Sequence, residues 1–215
     1  MSKKSFYQRV LFALSNPGIY ARNLSYRVNC AFEKFKGLDF SRMESARELN
    51  LPANSWNYET SGNKYLWQVF KTFSIQHSDS VLDIGCGKGH ALYTFAKIGF
   101  VKIAGIEFSE RLCMIAAQNM RILKQSSIEI HNADAKTYEA YSKFNYFYMY
   151  NPFQEEVMDH VIEHIEHSLI EVPRNVTIVY KNPMCHQSII KNGIFHKVEE
   201  FPSEYDHKFF VYKNK

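Results

Sequence analysis

The chemistry legible in this chain is concentrated in Val81-Leu82-Asp83-Ile84-Gly85-Cys86-Gly87-Lys88-Gly89-His90. An acid stands two positions before three glycines on alternate residues. A strand that runs into a glycine turn and then into a helix N-terminus lets a nucleotide-like ligand approach the backbone closely. The dinucleotide fingerprint with this architecture is Gly-x-Gly-x-x-Gly. Here the third glycine comes one residue early, and His90 stands where that fingerprint requires glycine. A second polar cluster, Asn151-Pro152-Phe153, follows the aromatic run Phe144 to Tyr150. By itself an Asn-Pro pair at a strand end also reads as a turn.

These residues must be positioned by the elements around them. Apolar residues at helical spacing predict helices over 6–15 and from Leu24 to Phe35, stopped by Asn16-Pro17-Gly18 and Gly37 respectively. Ser41-Arg42-Met43-Glu44 has the form of a capping box and predicts a third helix, ended before Pro52. "NSWNYETSGN" predicts a loop, and Tyr65 to Phe73 one more amphipathic helix. From residue 80 the rhythm changes. Strand-like runs at 80–84, 101–107, 127–131, 144–150 and 175–180 alternate with helical patterns at 88–98, 109–124, 154–170 and 184–191. That alternation predicts βαβ units and a parallel sheet with helices on both faces. Runs at 194–201 and 207–212 have no helix between them and predict a closing antiparallel hairpin. The expected fold class is therefore α/β: a seven-stranded, mostly parallel, Rossmann-like sheet with a C-terminal antiparallel hairpin and a helical N-terminal extension.

The Asp-x-Gly-x-Gly-x-Gly form of Asp83, Gly85, Gly87 and Gly89 resembles motif I of class I S-adenosylmethionine methyltransferases, and the closing hairpin is similar to theirs. The resemblance implies S-adenosylmethionine as cofactor and S-adenosylhomocysteine as product. It implies that Asp83 sits near the methionyl ammonium. Glu107, at the end of the second strand and eighteen residues beyond Gly89, would accept the ribose hydroxyls. Asp134, in "NADAK", would accept the adenine amino group. The chain divides on this reading into a helical extension or lid, 1–78, and a methyltransferase domain, 79–215. Asn151, Pro152 and Phe153 resemble the (Asn/Asp)-Pro-Pro-(Tyr/Phe) motif of amino-group methyltransferases with one proline missing, and are the candidate catalytic residues. "NYETSGNKYLWQVF" and "IVYKNP" resemble segments of non-SET histone-lysine methyltransferases and their bacterial relatives. That likeness would put Tyr58, Glu59 and Thr60 in the loop over the methionine end of the cofactor and Asn151 at the acceptor channel. It lacks the glycine of that family's Tyr-Gly-Glu-Thr-Ser, and Ala135 replaces its aromatic beside adenine.

The acceptor stays open. An amine, on a protein lysine or a small molecule, is favoured over a hydroxyl of a glycan or small molecule and over a nucleic-acid base. A non-catalytic cofactor-binding scaffold is a further alternative, opposed by the intact Asp83 and glycines. A hydroxyl acceptor would need a general base, for which His90 is a candidate. The first forty residues hold seven Lys or Arg against Glu33 and Asp39, whereas the rest of the chain is nearly balanced. This basic extension suits either a lid or a surface that recruits an anionic acceptor. His160, His164 and His167 share a helical stripe opposite Met158, Val161, Ile162, Ile165 and Leu169, which reads as a solvated face rather than a metal site. Cys30, Cys86, Cys113 and Cys185 have no metal-ligand rhythm and read as free thiols. No apolar run is long enough to span a bilayer, and a cytoplasmic protein is expected.

Overall fold

The computed structural model describes residues 17–49 and 57–215 of the 215-residue chain. The helix expected over 6–15 and the stop at Pro52 lie outside the described residues. The elements are α1 (Pro17–Phe35), α2 (Lys64–Phe70), β1 (Ser80–Ile84), α3 (His90–Ile98), β2 (Lys102–Glu107), α4 (Glu110–Ile122) and β3 (Glu129–Asn132). They continue through β4 (Tyr146–Tyr150), α5 (Glu155–Glu171), β5 (Thr177–Lys181), α6 (His186–Ile190), β6 (His196–Pro202) and β7 (Lys208–Lys213).

The seven strands form one sheet in the order β3-β2-β1-β4-β5-β7-β6. Pairing is parallel from β3 through β5 and antiparallel where β7 joins β5 and β6. Strands β1 and β5 are buried along their whole length, as expected where helices cover both faces of a parallel sheet. Alternation divides their side chains between two cores. Leu82, Ile84, Phe147 and Met149 pack against Met158, Ile162 and Ile165 of α5. Val81 and Tyr148 pack on the other face with Leu92, Phe95, Phe100 and, from α2, Leu66, Val69 and Phe70. Because β1 pairs with β2 on one side and β4 on the other, chain direction through the sheet reverses between β1 and β4. Crevices for ligands open beyond the carboxyl ends of strands at such a reversal.

One expected element is absent. The described residues 41–49 contain no helix, and 46–49 form only a turn. Glu44, which would have completed the capping box, pairs its backbone with Tyr58 and turns its carboxylate to Lys88 at 2.9 Å, Arg42 at 2.9 Å and Arg111 at 2.9 Å. The reciprocal box is made four residues later instead. Ser45 N–H donates to Glu48 Oε2 at 2.8 Å and Glu48 N–H donates to Ser45 Oγ at 3.3 Å.

The histidine stripe of α5 also differs from a solvated face. His160 is exposed, but His164 is half-buried, bonds the Lys136 carbonyl at 2.8 Å and stacks on Tyr141. Its partners come from the segment after β3, which helical periodicity does not reveal. Among the described residues no group of His, Cys, Asp and Glu is arranged to hold a metal ion, and no helix is long and apolar enough to cross a membrane.

Candidate active site

A cavity of about 570 Å³ lies at the reversal point, lined by the ends of β1, β2, β4, β5 and β7 and by the loop before α2. Its size suits a nucleoside-sized ligand. It brings together Tyr58, Glu59, Gly85, Gly87, Glu107, Asp134, Asn151, Pro152 and Phe153, which the sequence places far apart. Gly89 and Asp83 stand immediately behind it: Gly89 is the left-handed N-cap of α3, and Asp83 is buried in β1.

The glycines answer to the protein as well as to a ligand. Gly85 and Gly87 both adopt positive φ, at 81° and 53°. A Cβ on Gly87 would lie 2.4 Å from the Tyr58 ring, and one on Gly85 would lie 2.8 Å from Pro152. The clearance thus lets the loop before α2 and the strand end of β4 close tightly on the turn.

Glu107 holds that turn in shape. Its Oε2 accepts from Gly87 N–H at 3.0 Å and its Oε1 from Ser109 N–H at 2.8 Å. Burial raises its pKa, against the lowering effect of these backbone donors. Each carboxylate oxygen keeps a further lone pair for a hydroxyl. Asp83 is different. Its Oδ2 is buried without a hydrogen-bond partner, and burial, reinforced by Glu107, pushes its pKa well above the usual carboxylate range. Its register neighbour on β4 is Tyr148, whose buried hydroxyl also lacks a partner. An orphaned acid beside a cavity is a strong sign of a cationic guest.

The loop residues divide by role. Glu59 lines the cavity and its Oε2 accepts from the Tyr150 hydroxyl at 2.9 Å. Thr60 stands one layer back, sharing a 2.7 Å hydrogen bond with His90 Nδ1. Burial lowers the His90 pKa to about 4, so the ring is neutral at physiological pH, and it stacks on Phe40 with centroids 4.7 Å apart. Asp134 Oδ1 accepts from Lys136 N–H at 2.9 Å while the residue borders the cavity.

At the end of β4, Asn151 is held in left-handed backbone, φ 36°. Cys185 N–H donates to the Tyr180 hydroxyl at 3.3 Å, and that hydroxyl donates to Asn151 Oδ1 at 3.1 Å. This relay fixes which way the amide points. The sequence reading missed four contributors. Lys88, inside the glycine motif, has no solvent exposure and bonds Asp39 at 2.8 Å, Glu44 at 2.9 Å and the Arg42 carbonyl at 2.8 Å. Burial alone would raise the Glu44 pKa; hydrogen bonds from Lys88 and Arg42 outweigh it and hold that carboxylate below its usual range. Phe108, Asn182 and His207 also line the cavity. A signal existed for Phe108, which directly follows Glu107, and for Asn182, which lies within "IVYKNP".

S-adenosylmethionine fits these residues by charge as well as by size. Glu59, Glu107 and Asp134 line the cavity and Asp83 is buried behind it, against Lys136 as the one lysine or arginine among the described lining residues. A sulfonium and an ammonium are the guests that such an acid excess stabilises.

Strand order, glycine turn and acid placement have the form of the class I S-adenosylmethionine-dependent methyltransferase fold, and S-adenosylmethionine is the cofactor the lining suits. A methyltransferase-domain family model matches residues 81–171. Among solved structures, the chain is similar to a ribosomal protein L11 methylase from Lactobacillus delbrueckii subsp. bulgaricus, with TM-score 0.58, 14% identity, and 75% of this chain and 82% of that one covered. It is similar to the glycopeptide N-methyltransferase MtfA complexed with S-adenosylmethionine, with TM-score 0.57, 10% identity, and coverage of 69% and 92%. It is also similar to StiE O-MT, with TM-score 0.54, 12% identity, and coverage of 69% and 72%. No curated protein matches the sequence.

Proposed function

We propose that this methyltransferase acts on an amine nitrogen, on a protein lysine or a small molecule, with Asn151, Pro152 and Phe153 at the acceptor. The supporting observation is the Cys185–Tyr180–Asn151 relay, which holds an amide at the cavity wall beside the acid-rich lining. The neighbours named above include both an N-methyltransferase and an O-MT, so the fold does not choose between acceptors.

In this reading Asp83 pairs with the methionyl ammonium, and the N-terminal end of α3, capped by Gly89, faces the carboxylate. Glu107 takes the ribose hydroxyls, Asp134 the adenine amino group, and Phe108 packs on the base. Tyr58 and Glu59 close over the methionine end, with Thr60 bracing them through His90. The cofactor, when bound, supplies an electrophilic methyl carbon on sulfur. The protein's own task is then positioning, which can contribute about 7–11 kcal/mol. Asn151 Oδ1 and the Pro152 carbonyl accept hydrogens from the amine and aim its lone pair. The Tyr150 and Phe153 rings exclude water and favour the neutral amine. A hydroxyl acceptor is the second reading, favoured by one observation: His207 lines the cavity beside Tyr150, edge to face with ring centroids 6.3 Å apart, where a general base would be useful.

The test is Asn151→Ala, assayed by labelled-methyl transfer to amine-bearing and hydroxyl-bearing fractions of a cell extract. Turnover on the amine fraction should fall about 100-fold, the scale of a misplaced reactant, with S-adenosylhomocysteine affinity unchanged. Label that goes to hydroxyls and is lost in His207→Ala but not in Asn151→Ala would establish the second reading instead.

A further inference from the structure

Helix α1 is amphipathic in the wrong sense for a helix that only packs on its own domain. Leu24, Val28, Phe32 and Phe35 recur at helical spacing on one stripe and are 53%, 56%, 58% and 89% exposed. The polar side is the one that meets the protein. Glu33 Oε2 accepts from the backbone N–H groups of Phe40 at 2.9 Å and Ser41 at 2.7 Å, and the Tyr26 hydroxyl accepts from Met43 N–H at 3.2 Å. The helix is therefore fastened by its hydrophilic face and turns its apolar stripe outward.

Charge says what would cover that stripe. Arg27 and Lys34 border it on one side. Lys36 lies on the other, its Nζ 4.2 Å from the Phe32 ring centroid. Glu33, the sole acid of the helix, is consumed by its contacts with residues 40 and 41. An apolar stripe edged by cations that can extend past it matches an interface between acyl chains and acidic headgroups. A nucleic acid would satisfy the cations but leave Leu24, Val28, Phe32 and Phe35 against water or phosphate.

We propose that α1 lies in the surface of an anionic lipid bilayer and docks the enzyme there as a peripheral protein. The attachment reaches the active site through the chain. Residues 39–44, which follow α1, bind Lys88 of the glycine turn, and the Tyr58 hydroxyl donates to the Phe40 carbonyl at 2.6 Å. A docked α1 thus holds the cavity near the bilayer, where an acceptor borne on or beside lipid would be concentrated.

The test is co-sedimentation of the full chain with vesicles of equal parts phosphatidylcholine and phosphatidylglycerol, and with vesicles of phosphatidylcholine alone. The protein should pellet with the anionic vesicles, less with the neutral ones, and less as salt rises. The double substitution Val28→Glu and Phe32→Glu should weaken vesicle binding at least about tenfold, with S-adenosylhomocysteine affinity unchanged because neither residue touches the cavity. Failure of the unaltered protein to pellet with anionic vesicles overturns the proposal, as does equal pelleting of the double variant. A dimer in solution that the double variant dissociates, without vesicle binding, would assign the stripe to a second copy of the chain.

Discussion

Lys88→Met should lower the unfolding free energy by about 3 kcal/mol and weaken S-adenosylhomocysteine binding as well. Lys88 is wholly buried and compensates Glu44, itself almost inaccessible, and the partly exposed Asp39. Removing one member of a buried ion group leaves charge without compensation, at a cost of about 3–5 kcal/mol. The lower end applies here, because Arg42 and Arg111 still face Glu44. The effect on binding follows from what the cluster joins. Asn119 accepts from Asp39 N–H and donates to the carbonyls of Asp39 and Lys88, so residues 39–44, α4 and the glycine turn are one hydrogen-bonded unit. Denaturant unfolding reads the first effect and calorimetry the second. Adding Glu44→Gln should recover part of the lost stability, since it removes the charge left behind. A Lys88→Met protein as stable as the parent would show that the cluster contributes little.

Glu107→Gln should weaken S-adenosylhomocysteine binding by about 2–3 kcal/mol, the scale of a charged hydrogen bond lost together with an unsatisfied buried donor. Both oxygens of Glu107 accept from backbone N–H groups. An amide in its place turns an NH₂ toward either Gly87 or Ser109, donor against donor, and distorts the turn under the ligand. The same change removes an acceptor for the ribose. Unaltered affinity measured by calorimetry would take Glu107 out of the site.

What the sequence made legible is what local pattern governs. Strand-like runs alternating with helical patterns located the strands, and β1 was delimited to the residue. Glu107 and Asp134 border the cavity because one closes β2 and the other follows β3 at the same end of a parallel sheet, whereas Asp83, one residue before the end of β1, lies buried behind it. The capping box at Ser41 misled because Glu44 obeys a partner 44 residues away, Lys88, and a buried cation outweighs a local cap. His164 departs from a solvated face for the same reason: its partner Lys136 belongs to a different segment. His207 carried no signal at all. It reaches the cavity only because β7 inserts between β5 and β6, an order that hairpin spacing alone does not reveal.

The central claim is that the cavity beyond β1 and β4 receives a nucleoside that carries an amino acid, and that the orphaned Asp83 pairs with its ammonium. Titration calorimetry with S-adenosylhomocysteine, repeated in buffers of different ionisation enthalpy, tests it most directly. Asp83 holds its proton to unusually high pH in the free protein, and an ammonium favours the ionised form. Binding should therefore be one-to-one, release protons, and weaken as pH falls, while NAD gives no heat. Tight NAD binding with S-adenosylhomocysteine silent, or nucleoside binding with no proton release and no dependence on pH, would contradict the account.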